Sequence, residues 1–173
     1  MRLFVGVPIP EELRKRCALL QKELPRQLRF VSVEQLHFTL KFLDEQQDAE
    51  PIVKILDKVA LRHQAFAVKL HGVGAFPGQQ QPRVVWIGAK SSALVALAED
   101  VQKKLADSRK EDHQSVVPHV TIARVSDNVK FDIDKWKDAS FGEFLVSSFV
   151  LYESVLTSQG SLYRIVKEFG LVL

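Results

Sequence analysis

The chain has 173 residues, 46% of them hydrophobic, and a formal net charge of +3. That length supplies a real core for one domain spanning residues 1–173, with room for two lobes. The charge is a mild basic bias that permits an anionic ligand without requiring one, and no apolar run approaches the eighteen or so residues needed to cross a bilayer. Cys17 is the single cysteine, so no internal disulfide forms. It falls in line with Leu13, Leu20 and Leu24 on a helical stripe, a core position. The start Met1-Arg2-Leu3-Phe4-Val5 lacks the longer apolar stretch of a signal peptide, and a cytoplasmic protein is expected.

Residues 2–8 read as a first strand. Pro8 and Pro10 then introduce a helix over residues 11–24, with Glu11 and Glu12 in its first turn and Pro25 beyond its end. Residues 30–33 and 36–43 read as a pair of strands around the polar turn Glu34-Gln35. A second helix is expected over residues 48–63, with Pro51 near its start and Ile52, Ile55, Leu56 and Val59 on one side. Residues 65–76 alternate as a strand, Pro77-Gly78 with three glutamines makes a loop, and residues 84–88 are another strand. The clearest helix covers residues 91–108, where Leu94, Leu97, Ala98, Val101 and Leu105 share a stripe. A polar loop at 109–115 leads into a strand over 117–125. Residues 127–142 read as irregular with one helical turn near 134–138, and residues 144–157 and 162–169 close the chain as a hairpin around Ser158-Gln159-Gly160.

This order predicts an α+β fold with antiparallel pairing and helices on the outer faces. A weak two-fold repetition runs through it, because His37-Phe38-Thr39-Leu40 returns as His119-Val120-Thr121-Ile122, each in its own strand after its own helix. Strand alternation puts His and Thr of each cassette on one face and the apolar residues on the other. Two lobes facing each other would bring one cassette from each to a shared groove.

Paired histidines suit proton transfer near neutral pH, since an imidazole serves as acid or base. With a cyclic phosphodiester between them, one imidazole deprotonates water for in-line attack on phosphorus and the other protonates the departing ribose oxygen. The threonine hydroxyls donate to nonbridging phosphate oxygens and stabilise the developing charge. No cofactor or metal is required. No third ligand stands at a characteristic spacing beside the histidines, threonine is a poor transition-metal ligand, and no Gly-rich phosphate loop appears. A structural reading of each histidine, and a module that binds nucleotide or RNA without turnover, remain the competitors.

The flanks carry more. Phe30 through Leu43, Pro82-Arg83-Val84-Val85-Trp86-Ile87-Gly88 and Pro118 through Arg124 resemble the RNA 2',3'-cyclic phosphodiesterase family, also called the 2'-5' RNA ligase family, a branch of the two-histidine phosphoesterases. The opening Arg2 through Pro8 and the closing Ser154 through Tyr163 look like the same family. The resemblance implies a bilobal fold, two antiparallel sheets facing a central groove, and metal-independent opening of a ribose 2',3'-cyclic phosphate to a 2'-phosphate. It implies RNA ends or nucleotides bearing that group as partners, with His37 as general acid and His119 as the base that activates water; the reverse assignment leaves the reaction class unchanged. Ligation through a 2'-5' bond is the same chemistry run backwards, and nothing demands more than a monomer or an obligate protein partner. This chain departs from the family pattern at Phe30, where Trp is frequent, at Asp44, where Gly is frequent, and at Gly160-Ser161, where Gly-Pro is frequent.

The family pattern also places an arginine, here Arg124, on phosphate. Strict alternation would put it opposite His119 and Thr121, so that role needs the strand to bulge or end near Ala123. Lys41 shares the parity of His37 and Thr39, which would add positive charge at the groove. Phe30, Phe42 and Phe76 are candidates for base stacking, with Phe42 better placed for the core by its parity with Phe38 and Leu40. His63, His71 and His113 read as ordinary polar positions.

Overall fold

The computed structural model describes residues 1–107, 116–126 and 128–173. The expected loop at 109–115, with His113 in it, lies outside them. Among the described residues nine strands and three helices follow in the order β1 (Arg2–Pro8), α1 (Glu11–Glu23), β2 (Arg29–Phe30), β3 (His37–Glu45), α2 (Glu50–Ala60), β4 (Phe66–Phe76), β5 (Val84–Lys90), α3 (Ser92–Lys104), β6 (His119–Arg124), β7 (Ser140–Val146), β8 (Ser148–Thr157) and β9 (Gly160–Gly170). Short 3-10 turns sit at Val33–Gln35 and Asp134–Trp136, the second where one helical turn was expected. The fold is α+β.

The strands form one antiparallel sheet in the order β7-β4-β5-β6-β3-β1-β8-β9, with β2 pairing β6. Its two halves meet at a single register pair, Phe38 opposite Val120, the middle residues of the two cassettes. Beyond that pair β2 takes over the free edge of β6, Arg29 opposite Arg124 and Phe30 opposite Ala123. The Gln21 side chain on α1 closes this join, its amide donating to the carbonyls of Val31 and Ile122.

Two expectations are corrected. Residues 30–33 and 36–43 are not a strand pair, because β2 bonds to β6 and a 3-10 turn fills the gap before β3. The long segment 144–157 is two strands broken at Ser147, one pairing β4 at one end of the sheet and the other lying between β1 and β9. Period-two alternation does not register a chain that leaves one sheet edge and joins another.

Helices pack behind the sheet: α1 against β6 and β7, α2 against β9, α3 against β3 and β4. Leu13, Cys17 and Leu20 of α1, Leu56 and Val59 of α2 and Leu97 and Val101 of α3 meet Val5, Phe38, Leu70, Ile87 and Val120 in a continuous core. Cys17 is buried, as its place on the helical stripe predicted, and that burial pushes its thiol up to about 11. The Ser91 hydroxyl accepts from the Leu94 amide at 3.0 Å and starts α3. No helix among the described residues is long and apolar enough to cross a membrane.

Candidate active site

The site begins with two matching ladders. β1 runs against β3 with Pro8 opposite His37, Gly6 opposite Thr39, Val5 opposite Lys41 and Phe4 opposite Phe42. β5 runs against β6 with Gly88 opposite His119, Trp86 opposite Thr121, Val85 opposite Ala123 and Val84 opposite Arg124. In each ladder the register shifts just after the threonine, so Leu40 and Ile122 are extra residues in bulges at the same position. The halves are therefore related position by position, and the antiparallel join through Phe38 and Val120 sets His37 on the side of Thr121 and Thr39 on the side of His119.

The bulges decide which neighbours share the histidine face. Residues opposite one another point to the same side of a sheet. Val5 and Val85 are wholly buried in the core, so Lys41 and Ala123 lie on the core side, away from the histidines. Phe42 and Arg124 return to the histidine face, Phe42 beside Phe4, whose ring is 5.0 Å from His37. The condition set for Arg124 is thus met, by a bulge at Ile122. Lys41 leaves the face that alternation assigned it, and Phe42, expected in the core, is 68% exposed, because the extra residue at Leu40 reverses parity beyond it.

Both imidazoles are held in the same way. His37 Nδ1–H donates to the Gln35 carbonyl at 2.7 Å, and His119 Nδ1–H donates to the Val117 carbonyl at 2.7 Å. Each acceptor stands two residues before its histidine and fixes the proton on Nδ1, leaving Nε2 as the nitrogen able to exchange a proton. His37 Nε2 lies 3.0 Å from the Thr39 hydroxyl. Burial holds His37 below the usual imidazole range, the Gln35 carbonyl works against that by favouring the charged ring, and the charge of His119 adds to the lowering.

Aromatic rings brace both histidines. Phe4, Tyr152 and Tyr163 have centroids 5.0, 6.1 and 5.4 Å from His37, and Tyr163 meets it edge-on. Phe76 meets His119 edge-on at 5.0 Å, and Trp86 stands 6.3 Å away. The Gln35 side chain ties the first set together, its Oε1 accepting from the Tyr163 amide at 3.2 Å. Trp86 lies over Gly74, where a Cβ would come within 2.2 Å of the indole, and its buried Nε1–H has no partner among the described residues.

The remaining histidines stand elsewhere. His63 and Arg62 clasp Asp100 of α3, with His63 Nε2 2.8 Å and Arg62 Nη2 2.7 Å from its carboxylate, and His71 faces Asp138 at 4.0 Å. Among the described residues no group of three or more His, Cys, Asp or Glu side chains is placed to hold a metal ion. Sequence reasoning missed Phe4, Tyr152, Tyr163 and Trp86 because aromatic residues in strands read as core. The isolated strand glycines Gly6, Gly74 and Gly88 were the available signal, since they mark close approach.

The family model for the 2'-5' RNA ligase superfamily matches residues 7–156. The chain is 38% identical to the RNA 2',3'-cyclic phosphodiesterase of Methanocaldococcus jannaschii over 97% of its own length and 99% of that protein. It is 35% identical to the protein of the same name from Archaeoglobus fulgidus, over 98% and 99%. A crystal structure from Thermus thermophilus superposes with a TM-score of 0.88 at 30% identity, covering 99% of this chain and 98% of that one. The structure of E. coli LigT complexed with NADP+ superposes with a TM-score of 0.77 at 27% identity and the same coverage. By this match over most of its length, bearing both cassettes in register-matched strands, the chain belongs to the 2'-5' RNA ligase superfamily.

Proposed function

We propose that this protein is a cyclic phosphodiesterase that opens ribose 2',3'-cyclic phosphates, on nucleotides or RNA ends, to 2'-phosphomonoesters without a metal ion. The observation that carries the reading is the pair of identical ladders, each presenting one imidazole with Nδ1 bound to a carbonyl and one threonine on the same face. The names of its relatives support the substrate class.

In the proposed step one Nε2 takes a proton from water as its oxygen bonds to phosphorus. The P–O3' bond breaks, and the other imidazole gives O3' its proton, so protons balance across the site. Each positioned acid or base contributes about 10²–10⁴-fold. Thr39, Thr121 and Arg124 stabilise the nonbridging oxygens, and Thr39 does so by turning its hydroxyl from His37 Nε2 to the phosphate. We assign His37 as acid and His119 as base. The lowered pKa of His37 favours the reverse order in the empty site. A phosphate anion between the rings counters this, because a neighbouring negative charge favours the imidazolium form. The protein acts as a monomer in this reading, and ligation is a minor reverse reaction because water is in vast excess over RNA ends.

Product analysis tests it. A nucleoside 2',3'-cyclic phosphate incubated with the protein in excess chelator yields the nucleoside 2'-phosphate. A 3'-phosphate product overturns the leaving-group assignment, loss of turnover in chelator overturns the metal-free step, and tight binding without turnover makes the protein a binding module.

A further inference from the structure

Where the two ladders correspond, the halves offer unlike chemistry. At the fifth register pair, counted from the histidine, the first half presents Phe4 and the exposed Phe42, while the second presents Val84 and Arg124. Arg124 is not alone there. Arg29 of β2 is its direct cross-strand partner, and direct partners share a face. Two exposed guanidinium side chains thus stand side by side on the histidine face, one strand position past the bulge that follows Thr121. Neither makes a hydrogen bond or ion pair with any described residue.

Like charges directly opposite on a ladder are destabilising unless an anion lies between them. Nothing in the fold requires the pair, because β2 is anchored by its backbone bonds to β6 and by Gln21. Arginine forks match phosphate oxygens, and one guanidinium is already assigned to the cyclic phosphate. We infer that Arg29, standing beside the Arg124 that takes the cyclic phosphate, forms a second anion subsite for an internucleotide phosphate of an RNA strand, so that the groove favours RNA ends over mononucleotides. This rests on the hydrolase reading for the identity of the strand end, and the subsite lies on the second half, with the aromatic first half left for the terminal nucleoside.

The test compares wild type, Arg29→Ala and Arg26→Ala, the last removing an exposed arginine of the same segment as a control for net charge. Two substrates are used: a short oligoribonucleotide ending in a 2',3'-cyclic phosphate, and a nucleoside 2',3'-cyclic phosphate with a free 5' hydroxyl. Arg29→Ala raises KM for the oligonucleotide about tenfold or more, as expected for a charged hydrogen bond. It leaves the nucleoside within about twofold, and lowers the slope of log affinity against log salt by about 0.7 on the single strand. Equal loss on both substrates, no loss on either, or the same loss in Arg26→Ala overturns the subsite. Binding of the 2'-phosphorylated oligonucleotide and of the nucleoside 2'-phosphate, measured by calorimetry, needs no turnover. If wild type hydrolyses neither substrate but Arg29→Ala weakens only the oligonucleotide, the hydrolase reading falls and the subsite stands.

Discussion

At the scale of single residues, the two histidines have the same scaffold and unequal surroundings. His37 is enclosed by Phe4, Tyr152 and Tyr163, which removes water that would solvate its charged form. An NMR titration of the free protein should give His37 a midpoint below the ordinary value of about 6.5. In His119→Ala that midpoint moves up, because a neighbouring positive charge is lost. The residual activity of His119→Ala then reports the role of His37 alone. It falls as pH rises through the His37 midpoint if His37 gives a proton, and grows if His37 takes one. An unchanged His37 midpoint in His119→Ala would contradict the proximity of the two rings. The cassettes themselves were legible because His and Thr two apart on a strand must share a face; the carbonyls that orient each ring were not, since a backbone acceptor leaves no trace in side-chain pattern.

At the scale of elements, most strand and helix positions followed from periodicity and from Pro8, Pro25 and Pro51, while the bulges at Leu40 and Ile122 did not. A bulge is a difference between two paired strands, and one strand read alone has no register. That is why Lys41 and Phe42 exchanged faces relative to expectation. Asp44 shows a related effect. It sits at φ 55° in β3 next to a further register shift, where the resemblance led to an expected glycine, and aspartate is among the few residues that tolerate that conformation. Close approach is as important as register: a Cβ at Gly6 would lie 2.8 Å from the Phe38 carbonyl oxygen and 3.2 Å from His37 Cδ2. Gly6→Ala should therefore lower kcat about tenfold or more by displacing His37 and the join beside it, at a stability cost of about 1–3 kcal/mol. Gly78→Ala, with no atom within 4 Å of its new methyl, leaves both unchanged in the same rate and melting measurements. Equal behaviour of the two variants would show that the β1–β3 ladder does not position the histidine.

At the scale of the whole molecule, one weak seam carries the organisation. Two halves of a sheet, each with its own bulged cassette strand, touch through Phe38 and Val120 and then separate around β2. The doubled motif foretold that the halves correspond; it did not foretell that they share a sheet or that β2 wedges between them, because both facts depend on pairing between residues far apart in the chain. In the proposed reaction the join makes proton donor and acceptor a pair, one from each half, and a pair has a signature that separate groups lack. Rates for His37→Ala, His119→Ala and the double variant on a nucleoside 2',3'-cyclic phosphate measure it most directly. Each single change should cost about 10²–10⁴-fold with the fold intact, and the double should be little worse than either alone, since removing one partner already disables the concerted transfer. Near wild-type turnover in either single variant, or losses that multiply in the double, would contradict the account.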